Sequence, residues 1–127
     1  MNSGNREDYL ISILRLTEGE KAAKTTELAN FMNVSPASVT EMLKILASEG
    51  YVSYARYRGV TLTEIGLTYA RNIRKKHHVL ESFLTDVLNV DKEVAHDEAC
   101  KMEHAISDDS MLRLCKLMGS KVDSDCQ

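Results

Sequence analysis

The run His96-Asp-Glu-Ala-Cys100-Lys-Met-Glu103-His104 and the earlier run His77-His-Val-Leu-Glu81 gather imidazole, thiolate and carboxylate groups in one part of the chain. On an α-helix, residues four apart lie one turn above each other on the same face. His96, Cys100 and His104 therefore stack along one stripe with Glu103 beside them, and His77 and Glu81 form a second pair of the same spacing. Nitrogen, sulfur and oxygen donors together suit a first-row transition metal. The plain alternative is a small core cysteine, a satisfied histidine and an ordinary i,i+4 surface pair. Spacing alone leaves both readings open.

The elements that must carry these groups read as mainly helical. Arg6 to Leu16 has helical apolar spacing and stops near Gly19. Thr25 or Thr26 can cap a second helix that ends at Met32. Ser35 is an N-cap candidate with Pro36 at the first helical position, where its missing N–H costs nothing. That third helix runs to about Glu49, and Gly50 ends it. The period then changes to two: Tyr51 to Tyr57 and Val60 to Leu62 read as strands around an Arg58-Gly59 turn. Thr63 caps a long helix running to Leu88. Asn89-Val90-Asp91 breaks it, and Asp91 can cap the helix carrying His96 to His104. Ser107-Asp108-Asp109 starts a last helix, Ser110 to Met118, which Gly119 stops.

Helix, turn, second helix with a small polar N-terminal face, then a hairpin is the order of a winged helix-turn-helix with a two-stranded wing. A recognition helix needs small residues where it meets base edges and phosphates. Ser35, Pro36, Ala37, Ser38 and Thr40 meet that need, and Thr26 heads the preceding helix. Lys44, Arg56 and Arg58 supply charge for the backbone, with Tyr57 at the wing tip. Charge is divided to match. Residues 35–76 carry a net +4, whereas residues 77–127 carry −6, within a total of −3. A basic middle suits a polyanion such as double-stranded operator DNA and an acidic end suits cations.

The chain has 127 residues, of which 43% are hydrophobic, an ordinary soluble composition for one or two small units. No apolar run approaches the length of a membrane helix and no signal peptide is visible, so no membrane partner and a cytoplasmic location are expected. Three widely spaced cysteines argue against a disulfide framework, and Cys115 and Cys126 read as ordinary residues. The division expected is a DNA-binding domain over 1–72, a helical metal-binding and dimerisation domain over 73–119 and a flexible tail over 120–127. Apolar stripes at Phe83, Leu84, Val87, Leu88, Leu112, Leu114 and Leu117 exceed what so small a unit can bury alone, which suits a homodimer.

Ser35-Pro-Ala-Ser-Val-Thr40, Tyr57-Arg-Gly59, Leu62-Thr63 and the two donor runs together resemble the diphtheria toxin repressor family of metal-dependent transcriptional repressors. The likeness covers roughly residues 5 to 118. It implies a primary metal site at Asp8, Cys100, Glu103 and His104, and a second at His77, Glu81 and His96 with Glu103 able to bridge. It also implies a homodimer whose recognition helices are aligned on a palindromic operator when metal is bound. The winged-helix half looks most like the manganese branch and His96 to Cys100 like the iron branch. The iron branch usually has Met at the position of Asp8; the manganese branch has Glu at Cys100 and an acid at Ile11. The mixture leaves Fe(II) or Mn(II) as the corepressor, with Zn(II) or Co(II) able to substitute in vitro. The resemblance is to the short form of the family, expected to be without the SH3-like domain of the long members. Rival readings are a metal-independent winged-helix regulator and, with no nucleophile or cofactor loop in view, a small metalloenzyme.

Overall fold

The computed structural model describes residues 6–18 and 21–119; the expectations for Gly19, Cys126 and the tail over 120–127 lie outside them. Six helices and one two-stranded antiparallel sheet follow one another as α1 (Arg6–Thr17), α2 (Thr25–Met32), α3 (Pro36–Ser48), β1 (Val52–Ala55), β2 (Gly59–Leu62), α4 (Glu64–Ser82), α5 (Lys92–Met102) and α6 (Asp108–Met118). The chain divides into two compact units, Met1–Arg71 and Asn72–Gln127, each with a core of its own.

The first unit is a winged helix-turn-helix. Leu10 and Ile13 of α1, Leu28 of α2, Val39, Leu43 and Leu46 of α3 and Val60 of β2 are fully or almost fully buried. Asn33 takes the left-handed conformation (φ 57°) that ends α2, and its turn leads directly to α3. Ser35 caps α3 as expected: its Oγ accepts from the Ser38 N–H at 3.1 Å. Capping of α2 differs from expectation. Lys24, not Thr25 or Thr26, holds the cap position, and its N–H donates to the Glu27 carboxylate at 3.1 Å. This is the returning half of a capping box, in which the N3 carboxylate accepts from the cap residue's own N–H.

The wing is shorter and its turn differently placed than the residue pattern suggests. Ala55 pairs with Gly59, so Arg56, Tyr57 and Arg58 form a three-residue loop instead of an Arg58-Gly59 turn. Gly59 has φ 95°, and a Cβ there would sit 2.4 Å from the Ala23 carbonyl oxygen. That contact belongs to an unforeseen third rung, in which Ala23 and Val60 exchange backbone hydrogen bonds of 3.0 and 2.8 Å. Gly66 is constrained by space: a Cβ would lie 1.9 Å from the Tyr51 carbonyl oxygen. Thr63 caps α4 as expected, accepting from the Gly66 N–H at 3.1 Å while donating to the Gly50 carbonyl at 2.6 Å.

In the second unit the long helix does not stay α-helical to Leu88. It widens into a π turn over Phe83–Val87, where the Leu88 N–H reaches back to Phe83. Asn89 (φ 56°) then reverses the chain. Asp91 sits at the cap of α5, but its side chain makes no capping bond. Val79, Leu80 and Leu84 pack with Ala95 and Ala99 of α5 and with Met111, Cys115 and Met118 of α6. Small alanines on α5 permit this close packing, with the polar donors just beside it. Cys115 lies buried in this core, and Cys100 is half-buried outside it. Of the apolar stripes expected to dimerise, Leu84 is buried, while Val87, Leu88, Leu112 and Leu117 remain exposed.

Candidate metal centre and DNA-reading face

α4 places His77 and Glu81 one turn apart, and α5 places His96 and Cys100 one turn apart. Where the two helices face each other, His77 Nε2 lies 2.8 Å from Glu81 Oε2 and 3.2 Å from His96 Nδ1. His96 Nδ1 is 3.0 Å from the same Glu81 oxygen. The two rings meet edge-on, with centroids 4.8 Å apart. Cys100 Sγ completes the group at 3.7 Å from His77 Nδ1 and 3.9 Å from His96 Nε2. One donor atom from each of His77, His96 and Cys100 lies within 4.8 Å of the others. The resemblance placed Cys100 with the other set of ligands; the geometry puts its sulfur beside the histidine pair.

The single stripe from His96 to His104 is broken. α5 ends at Met102, and Glu103 and His104 lie in the turn that follows. There the Met102 carbonyl accepts from both Ala105 and Ile106 N–H groups, which tightens the last turn and swings the chain away. Glu103 is nonetheless only 4% exposed. Its Oε1 lies 3.6 Å from His77 Nδ1 and 3.9 Å from His104 Nε2. Its Oε2 is the buried side-chain oxygen without a hydrogen-bond partner among the described residues. His78, one residue from His77, is exposed.

Electrostatics follow from this crowding. The buried Glu103 carboxylate holds His77 above the ordinary imidazole range against the opposing effect of burial, with Glu81 adding to it. At 3.6 Å the contact is too long for a good hydrogen bond, so Glu103 acts chiefly through its charge. Burial pushes Glu81 up, but His96 and His77 outweigh it and hold the carboxyl below the ordinary range. Glu81 and Glu103 thus favour positive charge at a place where the facing groups among the described residues are titratable imidazoles. A buried carboxylate oxygen with no partner is costly, and a cation would satisfy it. The donors present therefore fit a divalent first-row ion.

On the first unit the sequence-expected DNA contacts fall into two groups. Ser35, Pro36, Ala37 and Ser38 are exposed at the head of α3, and Lys44 is exposed one turn beyond Thr40. Thr40 is half-buried, and its hydroxyl donates to the Pro36 carbonyl at 3.1 Å. Ser35 is committed to capping and also donates to Ser38 Oγ at 2.9 Å, which leaves Ser38 as the more outward hydroxyl. Arg56, Tyr57 and Arg58 are exposed on the wing loop, with Tyr57 90% exposed and the Arg56 guanidinium 5.5 Å over its ring. Thr26 is exposed at the start of α2. Asp8, half-buried, lies on α1 of this unit.

Residues 1–60 match the iron dependent repressor N-terminal DNA binding domain, and residues 63–125 match the iron dependent repressor metal binding and dimerisation domain. The chain belongs to the iron-dependent repressor family, that of the diphtheria toxin repressor. An uncharacterized HTH-type transcriptional regulator of Methanocaldococcus jannaschii is 47% identical over 109 residues, covering 85% of this chain and 87% of the relative. The HTH-type transcriptional regulator MntR of Bacillus subtilis is 32% identical over 93% of this chain and 82% of its own length. Among solved structures, the metal-dependent transcriptional regulator MtsR aligns with a TM-score of 0.83 at 32% identity over 92% of this chain, and the manganese regulator SloR with 0.80 at 36% over 93%. The chain spans about half the length of these two, 54% of each. The family is one of metal-dependent transcriptional repressors, DNA-binding regulators and not enzymes. Its two domains bind DNA and a metal ion and dimerise. No helix among the described residues is long and apolar enough to cross a membrane.

Proposed function

We propose that the protein is a homodimeric repressor for which Fe(II) or Mn(II) is the corepressor, read on a palindromic operator. The observation that carries this reading is the buried Glu103, whose Oε1 lies 3.6 Å from His77 Nδ1 and whose Oε2 lacks a partner among the described residues, while His77 itself gathers with His96 and Cys100. His77, Glu81 and His96 would hold one ion. Cys100, Glu103 and His104 would hold another, with Asp8 as the further donor that the family resemblance implies. Bound there, a divalent ion supplies positive charge to a site otherwise rich in carboxylate. Thiolate favours the softer ions and carboxylates the harder ones, and Fe(II) satisfies both, with Mn(II) next. Zn(II) and Co(II) would bind the same donors in vitro, because affinity follows the Irving–Williams order.

Ser38, Ala37 and Pro36 at the head of α3 would meet base edges, while Lys44, Arg56, Tyr57 and Arg58, with Thr26, Ser35 and Thr40, would meet the backbone. Ligand binding by the second unit then shifts the dimer towards the arrangement in which both recognition helices reach major grooves about 34 Å apart. An anaerobic gel shift on operator DNA tests this, with chelator, Fe(II) or Mn(II) in separate lanes. Binding should require metal and weaken strongly in Glu103→Gln. Equal affinity in every lane would overturn the metal switch and favour a metal-independent regulator. A cytoplasmic location accompanies the reading.

A further inference from the structure

Lys76 does not behave like a surface lysine. Its side chain is only 14% exposed, although its helix neighbours Arg74 and His78 are exposed. Its ammonium donates to the Ile106 carbonyl at 3.2 Å and pairs with Asp108 Oδ1 at 3.0 Å. Asn72, one turn earlier on α4, hydrogen-bonds the same Asp108 carboxylate. One lysine contact, Ile106, falls on the turn between α5 and α6 just after Glu103 and His104, and the other, Asp108, is the first residue of α6.

That turn has reason to need a tether. It lies beyond the last regular turn of α5, and it carries a carboxylate buried with one unmatched oxygen. Left to itself, such a group gains by moving out to water. The Met102 carbonyl and the Ser107 cap shape the turn locally, with Ser107 Oγ accepting from the Ser110 N–H at 3.1 Å. Neither ties it to α4, the helix that bears His77 and Glu81. Lys76 does.

We propose that Lys76 is a positioning residue for the metal centre: it fastens the α5–α6 turn to α4 and so keeps Glu103 and His104 facing His77 before an ion binds. The inference rests on the reading of this cluster as a metal centre. It predicts that Lys76 matters to metal binding through Glu103 and His104, and not through Glu81 on its own helix.

The test is Co(II) titration of the full-length protein, followed by its visible absorption, with circular dichroism as a check on folding. Lys76→Met should bind Co(II) about tenfold more weakly and shift the ligand-field bands, as expected for loss of a buried charge-assisted tether. Lys76→Arg should recover most of that loss. Asp108→Asn, at an exposed carboxylate, should cost about threefold. Adding Lys76→Met to the Glu103→Gln, His104→Ala double variant should cost nothing further, whereas adding it to Glu81→Gln should cost the full tenfold. Wild-type affinity and spectrum in Lys76→Met would overturn the proposal, as would an equal loss in the background lacking both Glu103 and His104. If Lys76→Met does not fold, unchanged affinity in Asp108→Asn overturns it instead. A wild type that takes up no Co(II) would remove the metal-centre reading itself, an outcome distinct from either of these.

Discussion

The largest fully buried side chains of the N-terminal unit are aliphatic: Leu10, Ile13, Leu28, Leu43 and Leu46. In the C-terminal unit, Val79 and Leu80 are buried equally well, and Glu103 is nearly so, with the half-buried His77 beside it. The first unit spends its polar groups on its own architecture. Ser35 caps α3, Thr63 joins α4 to Gly50, and Ala23 and Val60 add a rung to the wing. The second leaves polar groups crowded and one oxygen unmatched. A scaffold that presents a rigid reading head can be complete in itself, whereas a sensor must leave something for its ligand to complete.

The contrast can be broken at its most hydrophobic point first. Leu43→Ala removes a wholly buried side chain from α3 and should destabilise the first unit by about 3 kcal/mol. Denaturant unfolding would register that loss, while Co(II) uptake by the second unit should change little. A proportionate fall in metal affinity would mean that the units do not store their stability separately.

Glu103→Gln attacks the other side. Removing the buried carboxylate should lower metal affinity at least tenfold, or about 1.4 kcal/mol, yet leave the metal-free protein, at a pH above the raised His77 value, as stable as before or more so. Metal titration and thermal unfolding on the same sample measure both. A carboxylate placed for architecture would instead lose stability without metal. Ser35→Ala should cost about 1 kcal/mol through the lost cap of α3 and weaken operator binding without altering metal uptake.

Acidity sharpens the comparison further. His77 is raised by Glu103, so in the metal-free protein its contribution to stability is fully present below the ordinary imidazole pKa and fades as pH rises through the raised folded value. Ligation requires the neutral ring, so protons and metal compete, and metal affinity should fall as pH drops through that range. The smallest effect belongs to Asp108. The Lys76 ammonium, with Asn72, holds its carboxyl below the usual range. Its contribution to stability is present above the ordinary carboxylate pKa and is lost as pH falls through the lowered folded value. NMR titration of this carboxyl should show the lowered midpoint, and Lys76→Met should return it most of the way to normal, with Asn72 keeping the rest.

Much of this was legible from residue order. The Ser35-Pro36 start of α3, the Thr63 cap and the alternation after Gly50 are local signals, settled by groups a few residues apart. The donors His77, Glu81, His96 and Cys100 were visible from four-residue spacing on two helices. Local spacing misled where a contact came from farther away or where a helix ended early. Glu103 and His104 look like a continuation of the α5 stripe, but the chain has already turned. The wing loop begins two residues sooner than its glycine suggests, because Gly59 is held against the Ala23 carbonyl. Lys76 gave no sign at all: a lysine on a basic stretch reads as solvated, and its partners lie thirty residues on.

The sequence alone determined the order of the helices, the reading head with its wing, and the donor chemistry, because capping, periodicity and side-chain type act over one or two turns. Folding in space decided which donors meet. The facing of α4 and α5 brought Cys100 to the two imidazoles, and burial of the turn after Met102 left one Glu103 oxygen unmatched among the described residues. Such convergence depends on how two helices pack, and packing is set by the whole core and not by any one neighbour in the chain.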